Sequence, residues 1–170
     1  MAKKTSTKKK TPTKKTSTKK SSKTAATPVA SFTDNQSTGY AAPYLARAFS
    51  ALMDDQFNPM SESDDVFTPF SADLAATEPI NADTLRAALG IGSRYRLDLE
   101  SGDFFFDRAP DDAPGPYSVF MLLQGMMEAV LTDLTLLFVR GEGVVRVRTF
   151  LFGRLPDGTL VGLRTTTTET

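Results

Sequence analysis

The chain has 170 residues, with no His, Cys or Trp, and its twenty basic and twenty acidic side chains give a formal net charge of zero. Without His and Cys there can be no Ser-His-Asp triad, thiol nucleophile, disulfide or Cys/His zinc site, so catalysis would have to rest on carboxylates, Lys or Tyr. The zero conceals two unlike parts. Residues 1–27 hold ten lysines and no acid, whereas residues 28–170 hold ten arginines, no lysine and all twenty acids, so +10 faces −10.

The first part is a low-complexity arm. Thr5-Ser6-Thr7-Lys8-Lys9, Thr11-Pro12-Thr13-Lys14-Lys15 and Thr16-Ser17-Thr18-Lys19-Lys20 are near repeats with no apolar face to bury. Residues 1–39 are therefore expected to be a disordered arm and linker, and 40–170 one globular domain. Lys8, Lys9, Lys10, Lys14, Lys15, Lys19 and Lys20 are candidate nucleic-acid contacts. Such an arm neutralises phosphates without reading sequence, and with no aromatic interleaved it offers no base stacking. The plainer reading is a solubilising tail, or one that folds onto its own acidic domain.

In the domain, Leu45, Ala48, Phe49 and Leu52 recur at helical spacing, and Pro43 suits a first turn. That helix should stop near Asp54-Asp55, ahead of Asn58-Pro59. Met60–Asp65 reads as a polar turn and Val66–Phe70 as a short strand interrupted by Pro69. Asn81 is the expected N-cap of a second helix, with Leu85, Ala88 and Leu89 on one face and Gly90 or Gly92 ending it. Tyr95–Leu99 alternates as a strand. Phe104-Phe105-Phe106 is compact and aromatic, and residues 111–116 form a loop. The apolar run from Tyr117 to Val139 reads as one long, mostly buried helix, too polar at Glu128 and Asp133 to cross a membrane.

The end of the chain reads as a hairpin. Gly143–Phe152 and Leu160–Thr168 flank Leu155-Pro156-Asp157-Gly158-Thr159, in which Asp-Gly is the turn signal. Arg146 and Arg148 alternate with valines and should line the exposed face of the sheet. The pattern suits an α/β or α+β sandwich with a mixed sheet and helices on its faces. Asp98, Glu100, Asp103 and Asp107 form an acidic run without the spacing or glycine of a calcium loop. The chain closes on four threonines, Glu169 and Thr170, a stiff tip better suited to entering another molecule's cleft than to housing an active site.

Two segments carry a resemblance. Met60-Ser61-Glu62-Ser63-Asp64, after a short amphipathic helix, and the hairpin from Val144 to Thr170, with Gly153, Pro156, Gly158, Gly162 and the final Glu-Thr, are similar to the nuclease A inhibitor-like family. Asp103–Arg108 matches more weakly, and the arm lies outside the match. The resemblance implies a three-layer α-β-α sandwich that inhibits a sugar-nonspecific, metal-dependent DNA/RNA endonuclease. It implies no catalysis, cofactor or metal of the protein's own. It also implies that Glu62 and Thr170 approach the partner's active-site metal, with Ser61, Asp64, Glu169 and Tyr117 completing the contact surface. Tyr117 stands near where the family pattern has a Trp. Asp65-Val66-Phe67 replaces an aromatic-Pro pair. The expected setting is cytoplasmic, and the alternative function is a DNA-associated scaffold working through the arm.

Overall fold

The computed structural model describes residues 38–62, 65–108 and 118–169, with side chains from residue 41 onward. The elements in chain order are α1 (Thr38–Leu52), β1 (Thr68–Ala72), α2 (Ala82–Ala88), β2 (Arg96–Ser101), α3 (Asp103–Phe106), α4 (Val119–Val130), β3 (Thr132–Arg140), β4 (Arg146–Arg154) and β5 (Leu160–Thr168). The protein therefore mixes helix and strand around one five-stranded sheet of order β1-β5-β4-β3-β2.

Every pairing in that sheet is antiparallel. The expectation of a mixed sheet is thus corrected, and the cause lies in the apolar run 117–139. It is not one helix. α4 ends at Val130, Leu131 takes an extended conformation (φ −120°, ψ 149°), and the chain continues as β3. A strand buried on both faces has the same unbroken apolar signature as a buried helix. β3 is such a strand. Leu136 and Phe138 enter one apolar cluster, Leu137 and Val139 the other. With β3 in place, β2 to β5 are consecutive antiparallel neighbours, and no parallel crossover is required. A β-bulge between Thr132 and Thr135, with Asp133 at φ 53°, separates β3 from the end of α4.

The two clusters mark the two faces of the sheet. The first gathers Ala42, Ala46, Phe49 and Met53 of the α1 region, Phe105 of α3 and Phe120, Leu123 and Met127 of α4 over Val147, Leu151 and Leu163. The α1 residues fall at helical intervals, which is why one stripe of that helix is apolar. The helix starts a turn before Pro43, which lies inside it. The second cluster sets Leu85 of α2 and Ile91 against Phe70, Phe150, Phe152 and Leu160. α2 is capped as expected. Asn81 Oδ1 accepts from the amides of Asp83 and Thr84, and Thr84 Oγ1 accepts from the Asn81 amide.

The hairpin turn closes through Leu155 N–H to Thr159 C=O and Gly158 N–H to Leu155 C=O, both at 2.9 Å. Gly158 sits at φ 99°, and a Cβ there would run into the backbone of Leu74–Ala76. Only glycine fits that position.

Candidate partner-contact site

β5 is nine residues long but β1 covers only part of its outer edge. The β1 ladder runs from Thr68 opposite Arg164 to Ala72 opposite Leu160. Beyond Arg164 the outer edge of β5 is sealed by residues of the turn after α1. Asn58 Nδ2 donates to Thr166 C=O at 3.0 Å and to Thr167 Oγ1 at 3.1 Å. The Thr168 amide donates to Ser61 Oγ at 2.9 Å. An exposed strand edge is a row of unmet donors and acceptors, and here short polar side chains meet them.

The turn is itself held in shape by Asn58. Its Oδ1 accepts from the Met60 amide at 3.1 Å, and its C=O accepts from the Ser61 amide at 3.0 Å. With 2 % of its surface exposed, Asn58 uses both ends of its amide. Below it Thr149 and Thr167 share a hydrogen bond of 2.7 Å between hydroxyls. The alternation of the terminal threonines thus divides their roles. Thr165 and Thr167 turn inward and are buried, while Thr166 and Thr168 are half exposed.

Beside this seam lies a groove of about 820 Å³. Pro59, Met60, Ser61 and Glu62 line one side, Phe104 and Arg108 another, and Asp98, Phe138, Arg140, Thr167 and Glu169 also face it. Arg140 organises the floor. It pairs with the Glu169 carboxylate and, through Nε, with Asp98 Oδ2 at 2.8 Å. Arg96 reaches the same Asp98 oxygen at 2.8 Å. Arg108 lies over the Phe104 ring, 3.4 Å from its centroid, a cation–π contact at the rim. On the other side of the turn Arg146 pairs with Asp65, which also accepts from Ser61 Oγ at 3.3 Å.

The structure therefore brings Ser61, Glu62 and Glu169 to one groove, Glu62 as an exposed residue at its wall. Asp64, Tyr117, Thr170 and the lysines of the arm lie outside the described residues. Asn58, Arg140 and Thr167 were missed by sequence reasoning. Asn58 reads as a helix stop before Pro59, and its pairing partners are more than a hundred positions away. For Thr167, strand alternation over residues 165–168 was an available signal. Among the described residues no group of three or more His, Cys, Asp or Glu is placed to hold a metal ion. Nor is any helix among them long and apolar enough to cross a membrane. No protein-family model matches the chain, and no curated protein matches it.

Proposed function

We propose that the protein is a non-catalytic inhibitor of a metal-dependent, sugar-nonspecific endonuclease, in which the turn carrying Glu62 and the end of β5 form one contact surface. The observation that carries this reading is the hydrogen bond from the Thr168 amide to Ser61 Oγ. The two segments that resemble the nuclease A inhibitor-like family are far apart in sequence, yet they meet as neighbouring parts of one surface. In this reading the helices that contribute to the two clusters form the outer layers of an α-β-α sandwich in a cytoplasmic protein.

The chemistry is that of a substitute ligand. A hard divalent cation in a nuclease takes oxygen ligands and exchanges water for them, so a carboxylate held at the tip of a sealed turn can occupy a phosphate oxygen's place. The net charge of −10 on residues 28–170 would steer the domain toward a basic, DNA-binding cleft. Ser61 fixes the turn to β5, and Asn58 fixes its backbone, so Glu62 is presented from a preorganised loop. Thr170, beyond the described residues, and Glu169 would extend the same surface.

The test is inhibition of Mg²⁺-dependent DNA cleavage by such a nuclease, with substrate in excess so that DNA coating cannot imitate inhibition. Stoichiometric inhibition that survives removal of residues 1–27 and is lost in Glu62→Gln supports the reading. The charge division of the sequence also favours a second one, a DNA-associated protein acting through the arm. Under that reading the truncation abolishes every effect and Glu62→Gln changes nothing.

A further inference from the structure

β5 is held from its outer side as far as Thr168, and at Glu169 the hold passes to the inner side. The Glu169 amide donates to Val145 C=O at 3.0 Å, which carries the β4–β5 ladder one bond past its last paired residues, Arg146 and Thr168. A bond at the end of a ladder opens more easily than one in its middle. The Glu169 carboxylate adds a second hold by pairing with Arg140 Nη1. Arg140 is the last residue of β3, and β4 lies between β3 and β5. The ion pair therefore ties two strands that are not neighbours in the sheet.

Arg140 is itself fixed. Its Nε donates to Asp98 Oδ2 at 2.8 Å, and its guanidinium lies 4.9 Å from the centroid of the Phe138 ring. With Nε spent on Asp98 and Nη1 on Glu169, the planar guanidinium has little freedom to turn. Asp98 has a further task. Arg140 and Arg96 stand directly opposite each other in the β2–β3 ladder, where like charges repel. Arg96 Nη2 reaches the same Asp98 oxygen at 2.8 Å, so one carboxylate lets both arginines stand side by side. The series Asp98, Arg140, Glu169 thus runs from β2 across the sheet to the end of β5. The Arg140 side chain is 27 % exposed, so its pairs are less screened than ion pairs wholly in water.

We propose that Arg140 is a positioning residue of the contact surface, and that the Glu169 side chain is the anchor it holds rather than a contact with the partner. This inference rests on the inhibition reading. Glu62 and Glu169 face one groove, but the Glu169 oxygen that meets Arg140 is not offered to a partner's cation. What the pair fixes is the backbone. Thr170 follows Glu169 by one peptide bond, so the point from which it starts is set by the Arg140 clamp. Glu62 is set separately, by the turn that Asn58 and Ser61 hold. The two parts of the surface are therefore preorganised by different devices, one on each side of β5. Glu62 supplies the carboxylate, and Arg140 sets where the second part stands.

The test combines hydrogen exchange on the free full chain with inhibition of Mg²⁺-dependent DNA cleavage by a sugar-nonspecific endonuclease. Arg140→Met keeps an unbranched stem without the charge, and it is compared with Glu169→Gln and with the two changes combined. Exchange of the Glu169 amide should rise about tenfold in Arg140→Met, while Val161 and Leu163 keep their protection. The inhibition constant should rise about tenfold in Arg140→Met and about threefold in Glu169→Gln. In the combined variant it should rise no further than in Arg140→Met, because both changes break one pair. Arg140→Lys keeps the charge and should restore part of the inhibition that Arg140→Met loses, whereas a loss of packing alone would leave those two variants alike and overturn the proposal. A combined effect near the product of the single ones, about thirtyfold, would make Arg140 and Glu169 independent contacts and overturn it as well. So would unchanged exchange at Glu169. If the unaltered chain does not inhibit, the inhibition reading falls and takes this inference with it. Inhibition that is indifferent to Arg140 overturns this inference alone.

Discussion

The outer edge of β5 is sealed in two ways. From Leu160 to Arg164 another strand covers it with a backbone ladder, and from Thr165 to Thr168 the side chains of Asn58 and Ser61 do so. A ladder depends on backbone groups that every residue but proline supplies, so it tolerates most substitutions that respect packing. A side-chain seal depends on the identity of two residues. The second half is therefore where a single change alters local order without unfolding the sheet, and it is also the half that carries the candidate contact surface. Stability and presentation are divided along one strand.

The strongest way to break the first half is to force the strands apart. Gly162 pairs with Phe70 on one side and Phe152 on the other, whose rings approach to 5.8 Å between centroids. A Cβ on Gly162 would overlap the Leu151 carbonyl oxygen and crowd the Phe152 backbone. Gly162→Ala should lower the free energy of unfolding by about 3 kcal/mol, measured by denaturant titration. A loss below about 1 kcal/mol would mean that β4 and β5 yield easily, and the first half would not be the rigid one.

Next in size is Asn58→Ala, which attacks the second half at its root. It strips the Met60 amide of its side-chain acceptor and takes one hydrogen bond each from Thr166 C=O, which keeps Thr165 Oγ1, and from Thr167 Oγ1, which keeps Thr149. Losing three hydrogen bonds around a buried amide in this way should cost about 2 kcal/mol. The contrast between the halves is read by hydrogen exchange. The amides of Met60 and Thr168 should exchange faster, while those of Val161 and Leu163 keep their protection. Uniform loss of protection along β5 would show that the two halves open as one unit.

How far the sequence reveals this arrangement depends on the range of the interactions. The hairpin is legible because its turn chemistry is local: Asp157-Gly158 sits between runs of β-branched residues, and β5 spans the residues that alternation predicts. The cap of α2 is legible for the same reason. The division of 117–139 into α4 and β3 is not, because burial on both faces of β3 erases the period that separates a strand from a helix. In the site, Ser61, Glu62 and Glu169 are found through resemblance. Asn58 and Arg140 are not, because their roles exist only once β5 and β3 lie beside the turn. The antiparallel sheet was hidden by the same misread segment, since one strand too few leaves the connections looking like crossovers.

Ser61→Ala tests the narrower link. It removes the acceptor of the Thr168 amide, which then turns to water, at a cost of about 1 kcal/mol. Its signature is local. Exchange at Thr168 should rise while Met60, still held by Asn58, stays protected. If the inhibition reading is right, the inhibition constant should rise along with exchange at Thr168, even though Glu62 is intact. Unchanged inhibition with a frayed Thr168 would separate the seal from the contact surface.

The smallest effect should come from Arg146→Ala. Arg146 Nη2 reaches Asp65 Oδ1, but the arginine side chain is 67 % exposed, whereas Asp65 is 11 % exposed and also accepts from Ser61. An ion pair with one end in water is screened and gains little over hydration, so the loss should be below about 1 kcal/mol. It should also fade toward zero in about 1 M salt, where screening acts over roughly 3 Å. The comparison with Ser61→Ala is what makes the measurement useful. Ser61→Ala loses a 3.3 Å contact with the Asp65 carboxylate as well, but its bond with the Thr168 amide joins neutral groups and is nearly indifferent to salt, so the two variants should converge on different limits as ionic strength rises. If Arg146→Ala costs as much as Asn58→Ala and keeps that cost in high salt, then the guanidinium is a structural member of the seal. The second half of β5 would then be held by charge as well as by the two short polar side chains.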